Sequence, residues 1–236
     1  MKKFTLFFLG ALAAHFSYGQ RTEFSIHLNS GAAAYRGAAA SSNSTIIMPT
    51  LGAGTGPYTT NAYGRRPAFS YGLAGQWQRL TGGQNLLGVQ AGYDVLRSRV
   101  QITSVLDRNS NVIQTDGHTT LTNNFINVHP FFGHRFELGS VALDLTAGPE
   151  AGYLLHSEER GEAVSGKGVS YTTKRGHAHP DVDVRGRLNL TAYYKEVGLS
   201  LGYSYGLTNY GGDVAGEANE VYSQAFRAGL SFRLTK

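Results

Sequence analysis

Apolar and polar residues alternate with a period of two along most of this 236-residue chain, and a helical period is hard to find beyond the first twenty residues. Successive side chains of a β-strand point to opposite faces, so such alternation indicates strands with one apolar and one polar face. The pattern predicts eight strands of about 10–14 residues each, the length of strands that cross a membrane. The alternation that defines them is clearest at residues 24–34, 69–77, 87–95, 126–135, 141–153, 184–194, 197–205 and 226–234.

The connections between these segments are short and long in strict alternation. Three are tight hairpin turns, at 81–84, 137–140 and 195–196, and four are long, at 36–66, 98–121, 156–182 and 208–222. Short turns at one end and long loops at the other are typical of outer-membrane barrels. The fold class predicted is therefore all-β, an eight-stranded antiparallel up-and-down transmembrane β-barrel with four extracellular loops.

The residue types on the polar face favour the inside of a narrow barrel. This face has small polar residues, sparse charges of both signs and no lysine. An eight-stranded barrel leaves room only for side chains, and charges buried there need partners. We expect an interior charge network, with Glu150 near Arg187 and Glu23 near Arg233. Its members are Glu23, Asp94, Arg135, Asp144, Glu150, Arg185, Arg187, Arg227 and Arg233.

Aromatic residues lie near both ends of the apolar face. Those near the turns are Phe24, Trp77, Phe132, Tyr194 and Phe232, and those near the loops are Tyr71, Tyr93, Tyr153, Tyr205 and Phe226. Two aromatic belts are typical of the two membrane interfaces. The alternation by itself also fits a soluble sandwich or barrel, and the residue types favour the membrane alternative.

The first 19 residues have the pattern of a secretory signal peptide. Two lysines precede an apolar run over 4–14, and small residues lead up to Gly19. A membrane anchor helix is the alternative, but a span needs about 20 apolar residues. We therefore expect residues 1–19 to be removed and residues 20–236 to form one barrel domain in the outer membrane of a Gram-negative bacterium.

Composition excludes several other classes of protein. The chain has no cysteine, which rules out disulfides and thiolate chemistry. Its net charge of +5 is spread without a long Lys/Arg cluster, so nucleic acid is not an expected partner. Only 16% of residues are charged while 11% are aromatic, which argues against disorder.

Three stretches resemble the PorT-like outer-membrane β-barrel family of Bacteroidota-type bacteria. They are Phe-Ile-Asn-Val-His-Pro-Phe-Phe-Gly-His-Arg-Phe at 125–136, Ala-Gly-Pro-Glu-Ala-Gly-Tyr-Leu-Leu at 147–155 and Tyr-Ser-Tyr-Gly-Leu-Thr-Asn at 203–209. The resemblance covers most of the chain after residue 19 and implies an outer-membrane barrel without shared catalytic residues. The C-terminus departs from many outer-membrane proteins, since it does not end on an aromatic residue.

Three groups of residues are candidates for a site. His177, His179 and Asp181 form a weak candidate for a divalent metal, with an exposed loop as the alternative. His156 and Ser157 are adjacent, although the members of a hydrolase triad seldom are. Five arginines near the loop end could bind lipid phosphates as guanidinium forks, or be ordinary rim charges. They are Arg36, Arg65, Arg66, Arg97 and Arg99.

These observations predict a small outer-membrane barrel with a structural or interaction role through its loops. We expect no catalysis and no cofactor. The expected partners are outer-membrane lipid and an extracellular or envelope protein. The alternatives are an accessory component or small channel of a transport or secretion system, and a lipid-modifying hydrolase of the outer membrane.

Overall fold

The computed structural model describes residues 21–49, 56–177, 180–211 and 219–234, and the predicted signal peptide lies outside them. Within these ranges the protein is all-β. The strands are β1 (Arg21–Arg36), β2 (Asn43–Ile47), β3 (Tyr58–Thr59), β4 (Arg66–Leu80), β5 (Asn85–Leu106), β6 (Val112–Leu138), β7 (Val141–Ser165), β8 (Ser170–Gly176), β9 (Val182–Tyr194), β10 (Val197–Gly206) and β11 (Tyr222–Arg233). No helix among the described residues is long and apolar enough to cross a membrane.

The eight longest strands pair in a closed ring. Their order is β5, β4, β1, β11, β10, β9, β7 and β6, and β6 pairs again with β5. All eight ladders are antiparallel, including the ladder between the first and last strands of the chain. Since every ring strand has two neighbours, no ring strand exposes a long unpaired edge.

The strand lengths and two of the loops differ from the sequence prediction. The ring strands have 10 to 27 residues rather than 10–14, because β5, β6 and β7 continue far beyond the other five. The predicted loop at 98–121 is a hairpin of β5 and β6 that turns at 107–111, and much of the predicted loop at 156–182 is β7 and β8. Two more short strands, β2 and β3, lie in the predicted loop at 36–66.

The apolar side chains change faces along β5, and on all three long strands the outward side chains become mostly polar in the parts that extend beyond the other strands. On β5, Leu87 and Tyr93 point outward and are exposed, whereas Val100, Ile102 and Val105 are fully buried. On β7 the change coincides with a β-bulge, where Phe125 pairs with Leu154 but Asn124 pairs with His156. Leu155, between Leu154 and His156, has no partner on β6. Odd-numbered residues of β7 therefore face outward before Leu155, and even-numbered residues face outward after it.

The loop-end parts of β5 (98–106), β6 (112–121) and β7 (156–165) form the upper sheet, together with β2, β3 and β8. β2 runs parallel to β5 on the edge that β4 leaves free, and β8 pairs with β7 where β9 has ended. The upper sheet has an apolar core, whereas the ring has charged and polar side chains inside. This core contains Ile46, Val100, Ile102, Val105 and Ala163, with Met48 and Tyr171 packed against it.

The ring closure can be tested by a disulfide between β1 and β11, because the chain has no cysteine of its own. Ser30 pairs directly with Ala228, and Gln224 lies four residues, roughly 13 Å, further along β11. We expect Ser30→Cys/Ala228→Cys to lose its free thiols on mild oxidation of the folded protein. The control Ser30→Cys/Gln224→Cys should keep them. Thiol loss only in the control would refute this register.

Candidate functional site

The interior of the ring contains all nine charged residues of the expected network. At the loop end, Glu150 lies among three guanidinium groups. It receives hydrogen bonds from Arg185 and Arg187, both at 2.8 Å, and from Arg227 at 3.2 Å. Arg227 also donates to Asp94 at 2.8 Å. Register explains the convergence, since Arg185 is directly opposite Glu150 and Arg187 is two residues along the same strand.

A second cluster lies at the turn end. Arg135 donates two hydrogen bonds of 2.8 Å to the Glu23 carboxylate and two more, of 2.6 and 2.7 Å, to Asp144. Arg233 lies 3.3 Å from Glu23, and Gln78 donates to the same carboxylate at 2.7 Å. Both expected pairs, Glu150 with Arg187 and Glu23 with Arg233, are therefore close in space. The second pair joins the first and last strands at the seam where the ring closes.

Asp183 is a tenth member that the sequence prediction missed. It is fully buried and accepts hydrogen bonds from Arg185, Tyr210 and Ser223 at 2.6–2.8 Å. Asp183 lies just before the predicted strand at 184–194. The charged inward positions at 187 and 185 continue with the same spacing to 183, and this spacing was the signal available in the sequence. With Asp183 included, five carboxylates face five guanidinium groups. Equal numbers suit an interior in which an unpaired charge would be costly.

Neutral polar side chains fill the interior between the two clusters. His27, Gln76, Gln90 and Asn189 line a cavity of only about 10 Å³ there, about the space of one water molecule. Above the loop-end cluster, Phe125 and Leu96 pack with Ala33 and Ala225. Side chains therefore occupy most of the interior of the ring in the described residues.

Aromatic residues cover the loop end of the interior. The rings of Tyr35, Tyr63 and Tyr210 make edge-on contacts, with centroids 5.0–5.9 Å apart. Leu121 and Val221 pack in the same cluster. The buried Tyr210 hydroxyl donates to Asp183, so this aromatic cover is bonded to the charge network beneath it.

The three metal candidates do not form a metal site in the described part of the chain. His177 is 3.0 Å from the buried carboxylate of Glu159, which also accepts a hydrogen bond from the Thr59 backbone at 2.9 Å. Asp181 is exposed. His179 lies outside the described residues, and these contain no group of three or more potential ligands. Glu159 of β7 therefore connects β7 to Thr59 of β3 and to His177, the residue that follows β8.

His156 and Ser157 point to opposite faces of β7. His156 is exposed on the outer face, and Ser157 is buried on the inner face, where its hydroxyl donates to Asn123 at 2.5 Å. Adjacent strand residues diverge in this way, so these two side chains do not form a catalytic pair.

The five rim arginines separate into different places. The Arg36 guanidinium lies 3.6 Å from the centroid of the Tyr205 ring and donates to the Gly206 carbonyl. Arg65 donates to the Gly37 carbonyl at 2.8 Å. Arg66 is opposite Arg99 in the β4–β5 ladder, and Arg97 lies two residues from Arg99 on the outer face of β5. Arg97 and Arg99 border an outer groove together with His156, Glu158 and Arg160, which were not among the rim residues expected.

Comparison with known proteins gives only distant similarities. No family model matches the chain, and no curated protein matches it. Solved structures similar to it include Ail, the attachment invasion locus protein of Yersinia pestis, at 12% identity and a TM-score of 0.37, covering 91% of this chain and 99% of Ail. Neisserial surface protein A is 13% identical with a TM-score of 0.34, covering 89% and 96%.

The TodX monoaromatic hydrocarbon channel, in a deletion mutant, is 8% identical with a TM-score of 0.21, covering 92% of this chain and 90% of TodX. Sequence identities of 8–13% and TM-scores of 0.37 or lower assign no function to this chain. The resemblance to the PorT-like family stays a prediction.

The charge network predicts that interior and exterior carboxylates differ sharply in importance. Glu150→Gln leaves three buried arginines with one partner fewer, and we expect a loss of about 3–5 kcal/mol in unfolding free energy. Glu158→Gln, on the outer face, should have little effect because solvent screens its ion pairs. Urea unfolding of the folded protein measures both. A cycle with Arg187→Gln should show a coupling of at least about 0.5 kcal/mol, and zero coupling would contradict the geometry.

Proposed function

We propose that this protein is an eight-stranded β-barrel of the outer membrane of a Gram-negative bacterium, with the upper sheet outside the cell. The change in the outward side chains along β5, β6 and β7 is the observation that carries the proposal. Below Arg97, Thr122 and Leu155 the outward side chains are mostly apolar and the inward ones polar or charged, whereas above them the outward side chains are mostly polar and the apolar core of the upper sheet lies inside. This difference along one continuous strand is the one expected when its lower half lies in a membrane and its upper half in water.

The outer surface of the ring supports a lipid environment. Phe69, Phe132 and Leu199 are 63–67% exposed, and neighbouring outward positions are also apolar. A soluble monomer rarely exposes so large a continuous apolar surface, because water would disfavour it. From Leu143 to Tyr153 this surface extends ten residues along β7, roughly 33 Å, or about 25 Å along the membrane normal at a tilt of about 40°. That height matches the apolar band of outer-membrane barrels.

The filled interior favours an interaction role over transport. Two ionic clusters, a water-sized cavity between them and an aromatic cover fill the ring in the described residues. An interior filled in this way argues against the small-channel alternative. The divergence of His156 and Ser157 likewise removes the basis for a hydrolase. The upper sheet, with its own core, offers a rigid surface to a protein partner outside the cell.

Surface labelling of intact cells tests this topology. Ser110 lies in the turn between β5 and β6, at the far end of the upper sheet, and Gly83 lies in the turn between β4 and β5. A cysteine at Ser110 should react with a membrane-impermeant maleimide on whole cells, whereas one at Gly83 should react only after the outer membrane is opened. Equal labelling of both on intact cells, or labelling of Gly83→Cys alone, would overturn the orientation.

An arginine scan tests the lipid contact independently. Leu145 and Gln101 both point outward, but Leu145 lies below the change in the outward side chains and Gln101 above it. Leu145→Arg should cost about 2–4 kcal/mol in vesicles if the site is near the bilayer midplane, because the guanidinium enters hydrocarbon. Gln101→Arg should be close to neutral. Similar stability of both variants would contradict a membrane around the ring.

A further inference from the structure

A groove on the outer face of β5, β6 and β7 lies at the level where the apolar surface ends. Its volume is about 480 Å³. Phe69 of β4 borders it on one side, and the outward side chains of the upper sheet border it on the loop side. The residues lining this outer groove are Ala68, Phe69, Arg97, Arg99, Thr120, Thr122, His156, Glu158 and Arg160.

Strand pairing places cations side by side across the groove. Arg99 is opposite Thr120, Thr120 is opposite Arg160, and Arg160 is opposite Lys174 on β8. Neighbouring strands are about 4.8 Å apart, so Arg99 and Arg160 are separated by roughly two strand spacings with a threonine hydroxyl between them. Arg97 lies two residues nearer the apolar surface, on the same face as Arg99. Three guanidinium groups and hydroxyl donors can therefore reach one anion.

The groove has an excess of positive charge. Its one carboxylate, Glu158, pairs with Arg160 and lies 3.5 Å from Lys174. The hydrogen bond from Arg160 lowers the pKa of Glu158, so this carboxyl stays ionised. Arg97 and Arg99 have no carboxylate within 4 Å among the described residues. With three guanidinium groups and one carboxylate among its lining residues, the groove has a net charge of +2.

The surface next to the groove is suited to an acyl chain. Phe69 is 63% exposed directly beside the arginines, and Tyr71 contacts Arg97 through its ring face, with the guanidinium 5.5 Å from the centroid. Tyr153 and Leu155 are also exposed below His156 on β7. A ligand that satisfies both surfaces has an anionic head and an apolar tail.

We propose that the outer groove binds the phosphate monoester headgroup of an anionic membrane lipid, with an acyl chain along Phe69. The inference rests on the proposed membrane location. A phosphate monoester has three terminal oxygens and a charge of about −1.5 to −2, so it can accept hydrogen bonds from three guanidinium groups, whereas a carboxylate has two oxygens and one charge. The open shape of the groove and its continuity with the apolar surface favour a lipid over a free phosphate ester.

Tryptophan quenching tests the proposal in the folded, membrane-inserted chain. The chain's one tryptophan, Trp77, lies outward on β4 near the turn end, and quenching of Trp77 by brominated phosphatidylcholine reports insertion. In Trp77→Phe/Phe69→Trp, the tryptophan reports the groove instead. Brominated phosphatidic acid, a phosphate monoester lipid, is added to phosphatidylcholine vesicles. We expect the new tryptophan to be quenched by phosphatidic acid in clear preference to phosphatidylcholine.

Charge-matched variants separate specific binding from general attraction. In the reporter background, Arg97→Gln/Arg99→Gln/Arg160→Gln removes three groove cations. Arg79→Gln/Arg108→Gln/Lys167→Gln removes three cations elsewhere. The groove variant should lose nearly all preference, and the control should keep it. Arg99→Gln alone, at an exposed residue, should weaken the preference about fivefold, as expected for one basic residue at a membrane surface.

Each failure has its own signature. Absence of Trp77 quenching by brominated phosphatidylcholine overturns the membrane location itself. If Trp77 is quenched normally but the tryptophan at residue 69 shows no preference for phosphatidic acid, only the lipid site is overturned. The same holds if the groove variant retains the preference. Displacement of phosphatidic acid by excess soluble glycerol 3-phosphate would show a site for free phosphate esters and would overturn the lipid assignment. Failure of glycerol 3-phosphate to compete supports it.

Discussion

A ring of strands that is apolar outside must bury its polar side chains inside, and each buried charge then needs a partner within the protein. This constraint organises the interior. Five carboxylates and five guanidinium groups pair in two clusters, and amide, imidazole and hydroxyl groups fill the space between them. Losing one charge leaves its partners unpaired in a medium that solvates them poorly, so the clusters hold the strands in one register.

The same strands meet the opposite constraint further along the chain. Once β5, β6 and β7 leave the proposed membrane, their outer face contacts water and their inner face has to supply an apolar core. The bulge at Leu155 moves the side-chain alternation of β7 one residue along, which places His156, Glu158 and Arg160 on the outer face. β2, β3 and β8 then complete the upper sheet around Ile46, Val100 and Ile102. The outer groove, with its cations, lies at the boundary between the two arrangements.

Much of the ring could be predicted because period-two alternation records which face is apolar. The same alternation placed Glu150 and Arg187 on the interior face of neighbouring strands. The extensions were missed for a physical reason. Thr119 to Asn124 are nearly all polar, so neither face stands out, and the bulge at Leu155 interrupts the alternation on β7. The outer groove was only partly visible, because Arg160 and Lys174 join Arg99 through pairing between strands that the sequence prediction treated as loops.

The most direct test of the account measures the solvent on the outer face of one strand, position by position. Nitroxide labels at Val89, Tyr93, Arg97 and Gln101 on β5, in bilayers, can be compared for accessibility to oxygen and to a water-soluble nickel chelate. The account predicts that oxygen dominates at residues 89 and 93, that the two reagents become comparable at 97, and that the nickel chelate dominates at 101. Equal preference for one reagent at all four positions would contradict a membrane boundary at Arg97.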